Sequence, residues 1–287
     1  MNPVIAIIAP GEMGSAVGRR LREHSARILT SLAGRSEASA ARARGAGFVV
    51  IDGDQPLVDE ADVILSIVPP GEAVALAERL APALARSARK PIYVDCNAVS
   101  PETAERIGAV LAPTKCRYVD AGIIGPPPSA KARTVFYACG AAAHELERLG
   151  AQGLVVRVID GPIGAASALK LSYAGLTKGI TALGSAIALG AQRGGTSDAL
   201  MQELSESQPS LLPYLARLPT MFPKAYRWVA EMEEIAAFLD GDGAAQEIYR
   251  GMARLYERLA QGGTTPGEGE IKLIAEFSRK AGAARPE

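Results

Sequence analysis

Two stretches of the chain hold residues whose types and spacing suit chemistry. The first, Val4 to Gly18, reads VIAIIAPGEMGSAVG: a β-rich apolar run, a turn with Gly11 and Gly14, then the start of an amphipathic helix. In such a turn the backbone does the work. A glycine at position 11 lets it approach a pyrophosphate, a glycine at position 14 lets the helix close on the strand, and the first helical N–H groups, at Glu12 and Met13, meet the anion. The turn asks for one more glycine, and the chain has Ala9 followed by Pro10 instead. The expectation is that the fixed φ of Pro10 shapes the bend without a glycine's freedom.

The second stretch is GPIGAASALKLSYAGLTKG, which puts Lys170 in a helix otherwise built of small and apolar residues. Ala166, Lys170, Tyr173, Ala174 and Thr177 fall on one helical face. Small residues let a helix approach a neighbour closely, so Lys170 is expected at an interface, where burial lowers its pKa and makes it a proton donor or acceptor near neutrality. The competing reading is a lysine that snorkels out of a core helix.

Further candidates stand where strands should end. About 20 residues past the glycine turn, an acid would accept bonds from a ribose 2′-OH, whereas an arginine would pair with a 2′-phosphate. The segment reads Leu32-Ala33-Gly34-Arg35-Ser36, with no carboxylate in the strand. Arg35 and Ser36 therefore point to NADP, with a loop-capping arginine as the alternative. Val68-Pro69-Pro70, Asp95-Cys96-Asn97-Ala98 and Asp120 to Pro126 close three more strand ends. Asn97 suits a ribose, nicotinamide amide or substrate contact, or an Asx turn ahead of Ser100-Pro101. In the second half, Arg227, Glu231 and Glu234 are polar candidates on a stretch that otherwise reads as a charged face packed by Trp228 and Met232.

The rest of the composition removes other chemistries. Lys plus Arg and Asp plus Glu number 31 each, so no global field draws nucleic acid or an anionic membrane. Cys96, Cys116 and Cys139 make neither a disulfide framework nor a metal motif, which suits a reducing cytoplasm. With only His24 and His144, both in charged helical stretches, a Ser-His-Asp engine is not expected. The start of the chain lacks the pattern of a signal peptide, and the apolar stretch around Lys170 and Lys178 reads as a buried helix and not a membrane span.

These residues must be positioned by an alternation of strands and helices. Strands are expected near Ile5–Ile8, Ile28–Leu32, Phe48–Ile51, Val63–Ile67, Ile92–Val94, Arg117–Val119, Arg133–Ala138 and Val155–Ile159. Helices are expected over Gly14–His24, Glu37–Ala46, Glu72–Ala85, Pro101–Leu111 and Ala141–Leu149. Beyond Gly161 the pattern is helical almost throughout, with a loop from Gly262 to Gly269 and a frayed end from Ala281. The reading is α/β, a doubly wound and mostly parallel sheet over residues 1–161, followed by an all-α domain over 162–287.

The order and spacing of several of these pieces resemble the β-hydroxyacid dehydrogenase and 6-phosphogluconate dehydrogenase superfamily over nearly the whole chain, most closely the branch with a phosphogluconate-dehydrogenase-like C-terminal domain. They are Gly11-Glu12-Met13-Gly14, Val68-Pro69-Pro70-Gly71-Glu72, Val94 to Pro101, Asp120-Ala121-Gly122, and Gly161-x-x-Gly164 leading to Lys170. The resemblance implies a Rossmann-like domain holding NAD(P), oxidation of a small β-hydroxy acid or its reverse, and Lys170 as the acid/base. It also implies a helical domain that pairs two copies. Gly122, Ile124, Gly125, Tyr173 and Ala174 then lie on the substrate side. Family members usually show Ser-Gly-Gly where this chain has Ile124-Gly125-Pro126, and an asparagine where it has Ala174. A later Lys-Asp pair falls loosely on Glu233-Glu234. The cofactor half thus keeps the family pattern better than the substrate half. The alternatives are an imine reductase of the same architecture, against which Lys170 argues, and a non-catalytic NADP-binding sensor or scaffold.

Overall fold

The computed structural model describes residues 2–129, 132–262 and 269–284. It divides into two compact units, Met1–Lys170 and Leu171–Glu287. The last strand ends at Val158 and the long helix that follows begins at Ala165, so Gly161 lies in the connection between them. The units part several residues later because the first turns of the long helix that follows are bonded to the sheet.

The first unit is one eight-stranded sheet: β1 (Val4–Ile8), β2 (Arg27–Thr30), β3 (Val49–Val50), β4 (Val63–Ser66), β5 (Ile92–Asp95), β6 (Arg117–Ile124), β7 (Val135–Cys139) and β8 (Val155–Val158). Their order is β3-β2-β1-β4-β5-β6-β7-β8. Every neighbouring pair is parallel except β6 with β7. Helices α1 (Glu12–Glu23), α2 (Glu37–Gly45), α3 (Asp54–Glu60), α4 (Ala73–Arg86) and α5 (Pro101–Leu111) cross between the parallel strands.

The central strands read as unbroken apolar runs because both faces are covered. Side chains alternate between faces, so Ile5, Ile7, Val63 and Leu65 join one core while Ala6, Ile8 and Ile64 join another. Chain order reverses at β1, with β2 on one side and β4 on the other. Sheets of this kind take ligands outside the carboxyl ends of their strands at such a reversal.

All eight expected strands are present. Ser36 and Ser100 cap α2 and α5, each accepting a hydrogen bond from the N–H three residues on, with Pro101 at the first helical position. The segment expected as a helix near Ala141–Leu149 is a 3₁₀ stretch, Ala143–Gln152, ended by Gly153 at φ 82°. Helix α3 has no counterpart in the sequence reading. It is seven residues long with Pro56 in its first turn, too short to show a helical period.

The second unit holds most of α6 (Ala165–Arg193), then α7 (Ser197–Ser207), α8 (Leu212–Leu215), α9 (Ala225–Phe238), α10 (Gly243–Gln261) and α11 (Gly269–Ala283). Its core includes Met221, Met232, Tyr256, Ile274 and Phe277. Trp228 meets Tyr256 edge to face at 5.2 Å. Of the loop expected from Gly262 to Gly269, residues 263–268 lie outside the described residues. Ala281 does not begin a frayed end: it is buried, and α11 continues to Ala283.

Helix α6 departs from the expectation of a buried helix. By length and composition it could cross a membrane, and half of its most apolar window is buried within the fold. On its other side Tyr173, Leu176, Ile180, Leu183 and Ile187 are exposed.

Candidate active site at the carboxyl edge of the sheet

The turn between β1 and α1 is built on strain. Ala9 adopts φ 64°, the left-handed conformation that the missing glycine would take without cost. Pro10 therefore does not replace that conformation, as the sequence suggested; Ala9 adopts it. The turn is tied by the Gly11 N–H donating to the Ala9 carbonyl at 2.8 Å. The Pro10 carbonyl accepts from Ser15 Oγ at 3.0 Å and from Arg42 Nε at 3.1 Å.

The two glycines differ in their surroundings. A Cβ at Gly14 would stand 2.7 Å from the Ala9 carbonyl oxygen, so helix and strand could not close with any larger residue there. A Cβ at Gly11 would meet nothing within 4 Å. That open side borders the N-terminus of α1, which no side chain caps. Unpaired first-turn N–H groups beside a side-chain-free backbone fit a pyrophosphate. Glu12 is exposed and Met13 packs partly on the core.

Arg35 follows β2 with its side chain 20% exposed. Its Nη1 lies 3.6 Å from Glu72 Oε2, on a 3₁₀ turn, Pro70–Glu72, that follows β4. Because β1 lies between β2 and β4, this ion pair joins the segments on either side of the end of β1. No carboxylate stands in the β2 segment, but one reaches Arg35 from the far side, which sequence order does not reveal. Ser36 is committed to capping α2.

Asn97 is 3% exposed and its amide is spent internally. Its Oδ1 accepts from the Val68 N–H at 2.7 Å, and its Nδ2 donates to Ser66 Oγ and to Asp95 Oδ1. These bonds hold the Val68-Pro69-Pro70 loop against the end of β5. Asp95 is fully buried, and burial first, then the neighbouring Asp120 charge, pushes its carboxyl up to about 7.

Lys170 comes to β6. Its Nζ donates to the Ile123 carbonyl at 2.5 Å. Burial alone draws its pKa below the ordinary lysine value, and no carboxylate forms an ion pair with it among the described residues. Gly122 is what permits the approach, since a Cβ there would lie 2.9 Å from both the Ala166 carbonyl oxygen and Lys170 Cβ. Ile124 pairs with Val135 in the β6–β7 ladder. Gly125 then turns the chain at φ 122°, where a side chain would strike the Arg133 carbonyl.

The helical face drawn through Lys170 does not hold together. Ala174 is 3% exposed and sits in the core of the helical unit, while Tyr173 and Thr177 are exposed. Glu231 pairs with Lys178, which also lies 5.3 Å over the Trp228 ring, so Glu231 serves the helical core.

The family model for the NAD binding domain of 6-phosphogluconate dehydrogenase matches residues 4–151, just over half the chain and nearly all of this sheet. The chain belongs to the 6-phosphogluconate dehydrogenase-like, β-hydroxyacid dehydrogenase superfamily. A second model, described only as a domain of unknown function, matches residues 191–259. An uncharacterized 28.5 kDa protein of Methanothermus fervidus is 28% identical over 237 residues, covering 82% of this chain and 90% of that protein. The structure of the conserved protein MTH1747, described as similar to 3-hydroxyacid dehydrogenases, has a TM-score of 0.71 at 28% identity, covering 90% of this chain and 97% of its own. The 3-hydroxyisobutyrate dehydrogenase of Mycobacterium tuberculosis, solved with L-serine, shares the fold at a TM-score of 0.67 and 17% identity, covering 96% of this chain and 99% of its own. The sheet unit is thus a nicotinamide-dinucleotide-binding domain of a dehydrogenase or reductase superfamily.

Proposed function

We propose that the protein is an NADP-dependent oxidoreductase that moves a hydride between nicotinamide and a small β-hydroxy acid or its keto counterpart, with Lys170 as general acid/base. The observation that carries the reading is the state of Lys170: partly buried, without a carboxylate ion pair among the described residues, and bonded to a backbone carbonyl. Burial makes such a lysine release its proton more readily than an exposed one, as a group that takes and returns a proton requires. In the reading, Lys170 accepts the hydroxyl proton as the substrate is oxidised and returns it on reduction, with the Ile123 carbonyl aiming Nζ meanwhile.

The backbone of Gly11, Glu12, Met13 and Gly14 would hold the pyrophosphate, Arg35 the 2′-phosphate, and Val68-Pro69-Pro70 the edge toward the nicotinamide. The bound nicotinamide supplies the hydride acceptor or donor. Arg35 must exchange Glu72 for phosphate, so the preference for NADP over NAD is expected to be moderate. On the substrate side, Gly122, Ile124 and Gly125 present mainly backbone. Ile124 in a ladder position, where relatives place a serine, favours a second reading, an NADP-binding sensor without turnover.

The reading also pairs two copies through the helical unit. Its support is the exposed stripe Tyr173, Leu176, Ile180, Leu183 and Ile187 on α6. Alternating steps of three and four residues suit a helix–helix seam, and a stripe that matches itself closes about a twofold axis. The three cysteines are all free, as suits a reducing cytoplasm.

The test is a panel of small hydroxy acids with NADP and NAD, run on the parent and on Lys170→Met. Lys170→Met should bind NADP as the parent does and lose about 10² to 10⁴ in turnover. A parent that binds NADP and turns over no hydroxy or keto compound would leave the sensor reading standing.

A further inference from the structure

We infer that Asp120 is the positioning residue that places Lys170, by clamping the start of α6 to β6. The inference rests on the reading of Lys170 as acid/base, but the clamp itself is a matter of geometry. Asp120 is fully buried. Its Oδ2 accepts from the backbone N–H groups of Gly164 and Ser167, each at 3.0 Å. Its Oδ1 accepts from Ser167 Oγ at 2.7 Å. Cys139 Sγ donates to Oδ2 at 3.3 Å and itself accepts from the Ala166 N–H at 3.3 Å. Gly164, Ser167 and Cys139 each donate to the carboxylate.

A carboxylate 44 to 47 residues away in sequence thus supplies acceptors that the first turn of a 29-residue helix lacks. It also places a negative charge where the helix dipole favours one.

The clamp sets the lysine because strand and helix are tied twice. On β6 the ties are Asp120 and, three residues on, the Ile123 carbonyl. On α6 they are Ser167 and, three residues on, Lys170. Gly122 touches Ala166 and Lys170 between the ties, so strand and helix advance together. Three residues of strand cover about 10 Å and three of helix about 4.5 Å. The four-carbon lysine stem reaches across and brings Nζ to the carbonyl. Released from Asp120, the helix start loses its register with β6 and Nζ loses both its acceptor and its shelter from water.

Competitive labelling with trace acetic anhydride across pH, read on the Lys170 peptide by mass spectrometry, reports the lysine's titration without substrate or cofactor. In the parent, Lys170 should titrate below the other lysines. In Asp120→Asn, with folding checked by circular dichroism, the Lys170 titration should move up to the range of the exposed lysines while theirs stay in place; Asp120→Glu should restore part of the shift. Should Asp120→Asn fail to fold, Ser167→Ala, which removes the hydroxyl bond alone, decides by a smaller shift in the same direction. A folded Asp120→Asn, or in its absence a folded Ser167→Ala, whose Lys170 titrates as in the parent overturns the inference. Failure of Lys170→Met to affect turnover would overturn the catalytic reading and leave the clamp intact.

Discussion

The two units bury different things. In the sheet unit the buried polar residues include Thr30, Ser66, Asp95, Asn97, Asp120 and Ser167, joined in part to one another along the carboxyl edge of the sheet. In the helical unit the fully buried polar residues are Ser185, Ser197 and Ser278 among the described residues, within a core of leucine, methionine and aromatic side chains. Apolar patterning of about the right volume suffices to fold a chain. Buried polar networks are costly when partly satisfied and fix one geometry when fully satisfied. The contrast agrees with the proposal that the sheet unit places the chemistry and the helical unit pairs two copies, and each half of that proposal can be attacked separately.

The largest effect is expected from the assembly side. If the α6 stripe is the seam between two copies, Leu176→Glu together with Leu183→Glu buries charge at its centre. The dimer should weaken by at least about a thousandfold, as loss of central interface anchors does. Sedimentation equilibrium reads the mass and fluorescence titration the NADP affinity, which should stay within a few-fold of the parent. A dimer that survives both substitutions would move the interface elsewhere, and loss of cofactor binding along with the dimer would break the division of labour.

Next comes the polar network of the sheet unit. Asp95 carries a carboxyl pushed up to about 7, first by burial and second by the Asp120 charge. Between its ordinary value of 3.8 and about 7 the folded chain keeps a proton that the unfolded chain has released. Stability therefore falls as pH rises through that window, by roughly 4 kcal/mol as an upper bound. Asp95→Asn keeps a neutral acceptor for the Asn97 amide and removes the titration. Urea midpoints taken from pH 4 to 8.5 should fall in the parent and stay nearly level in the variant, which gains most at the alkaline end. Parallel curves would show that Asp95 is not the buried acid of the network.

What could be read from the sequence follows the same division. The eight strands were legible because a parallel sheet covered on both faces writes itself as apolar runs, and Gly14 because its packing role is local. Helix α3 was not, since seven residues with a proline hide the helical period. Gly122 read as part of a ligand loop, yet it is a close-approach glycine inside β6 whose reason lies on α6. Ala174 shares a nominal face with Lys170, but a contact core outranks a helical wheel, and it points into the helical unit. Asp120 was visible only as part of a motif, because the groups it binds lie 19 to 47 residues further along the chain. The Glu72 partner of Arg35 was hidden because strand order, and not chain order, sets the two loops opposite each other.

The smallest effect is expected where the sequence was most unusual. Ala9 stands at φ 64°, in a region that costs a residue with a Cβ about 1–2 kcal/mol. A glycine there avoids that cost but gives the unfolded chain more freedom, worth about 0.4–1 kcal/mol in the opposite direction. Ala9→Gly should therefore stabilise the protein by about 1 kcal/mol or less, read as a rise in the urea midpoint at unchanged slope. NADP affinity should change by less than about twofold, because the Pro10 carbonyl stays tied to Ser15 and Arg42 and the open side of Gly11 is untouched. A loss of affinity in a stabilised Ala9→Gly would mean that the strained alanine itself holds the helix N–H groups in line for the pyrophosphate. The sheet unit would then keep its strain for function and not as a tolerated departure from glycine.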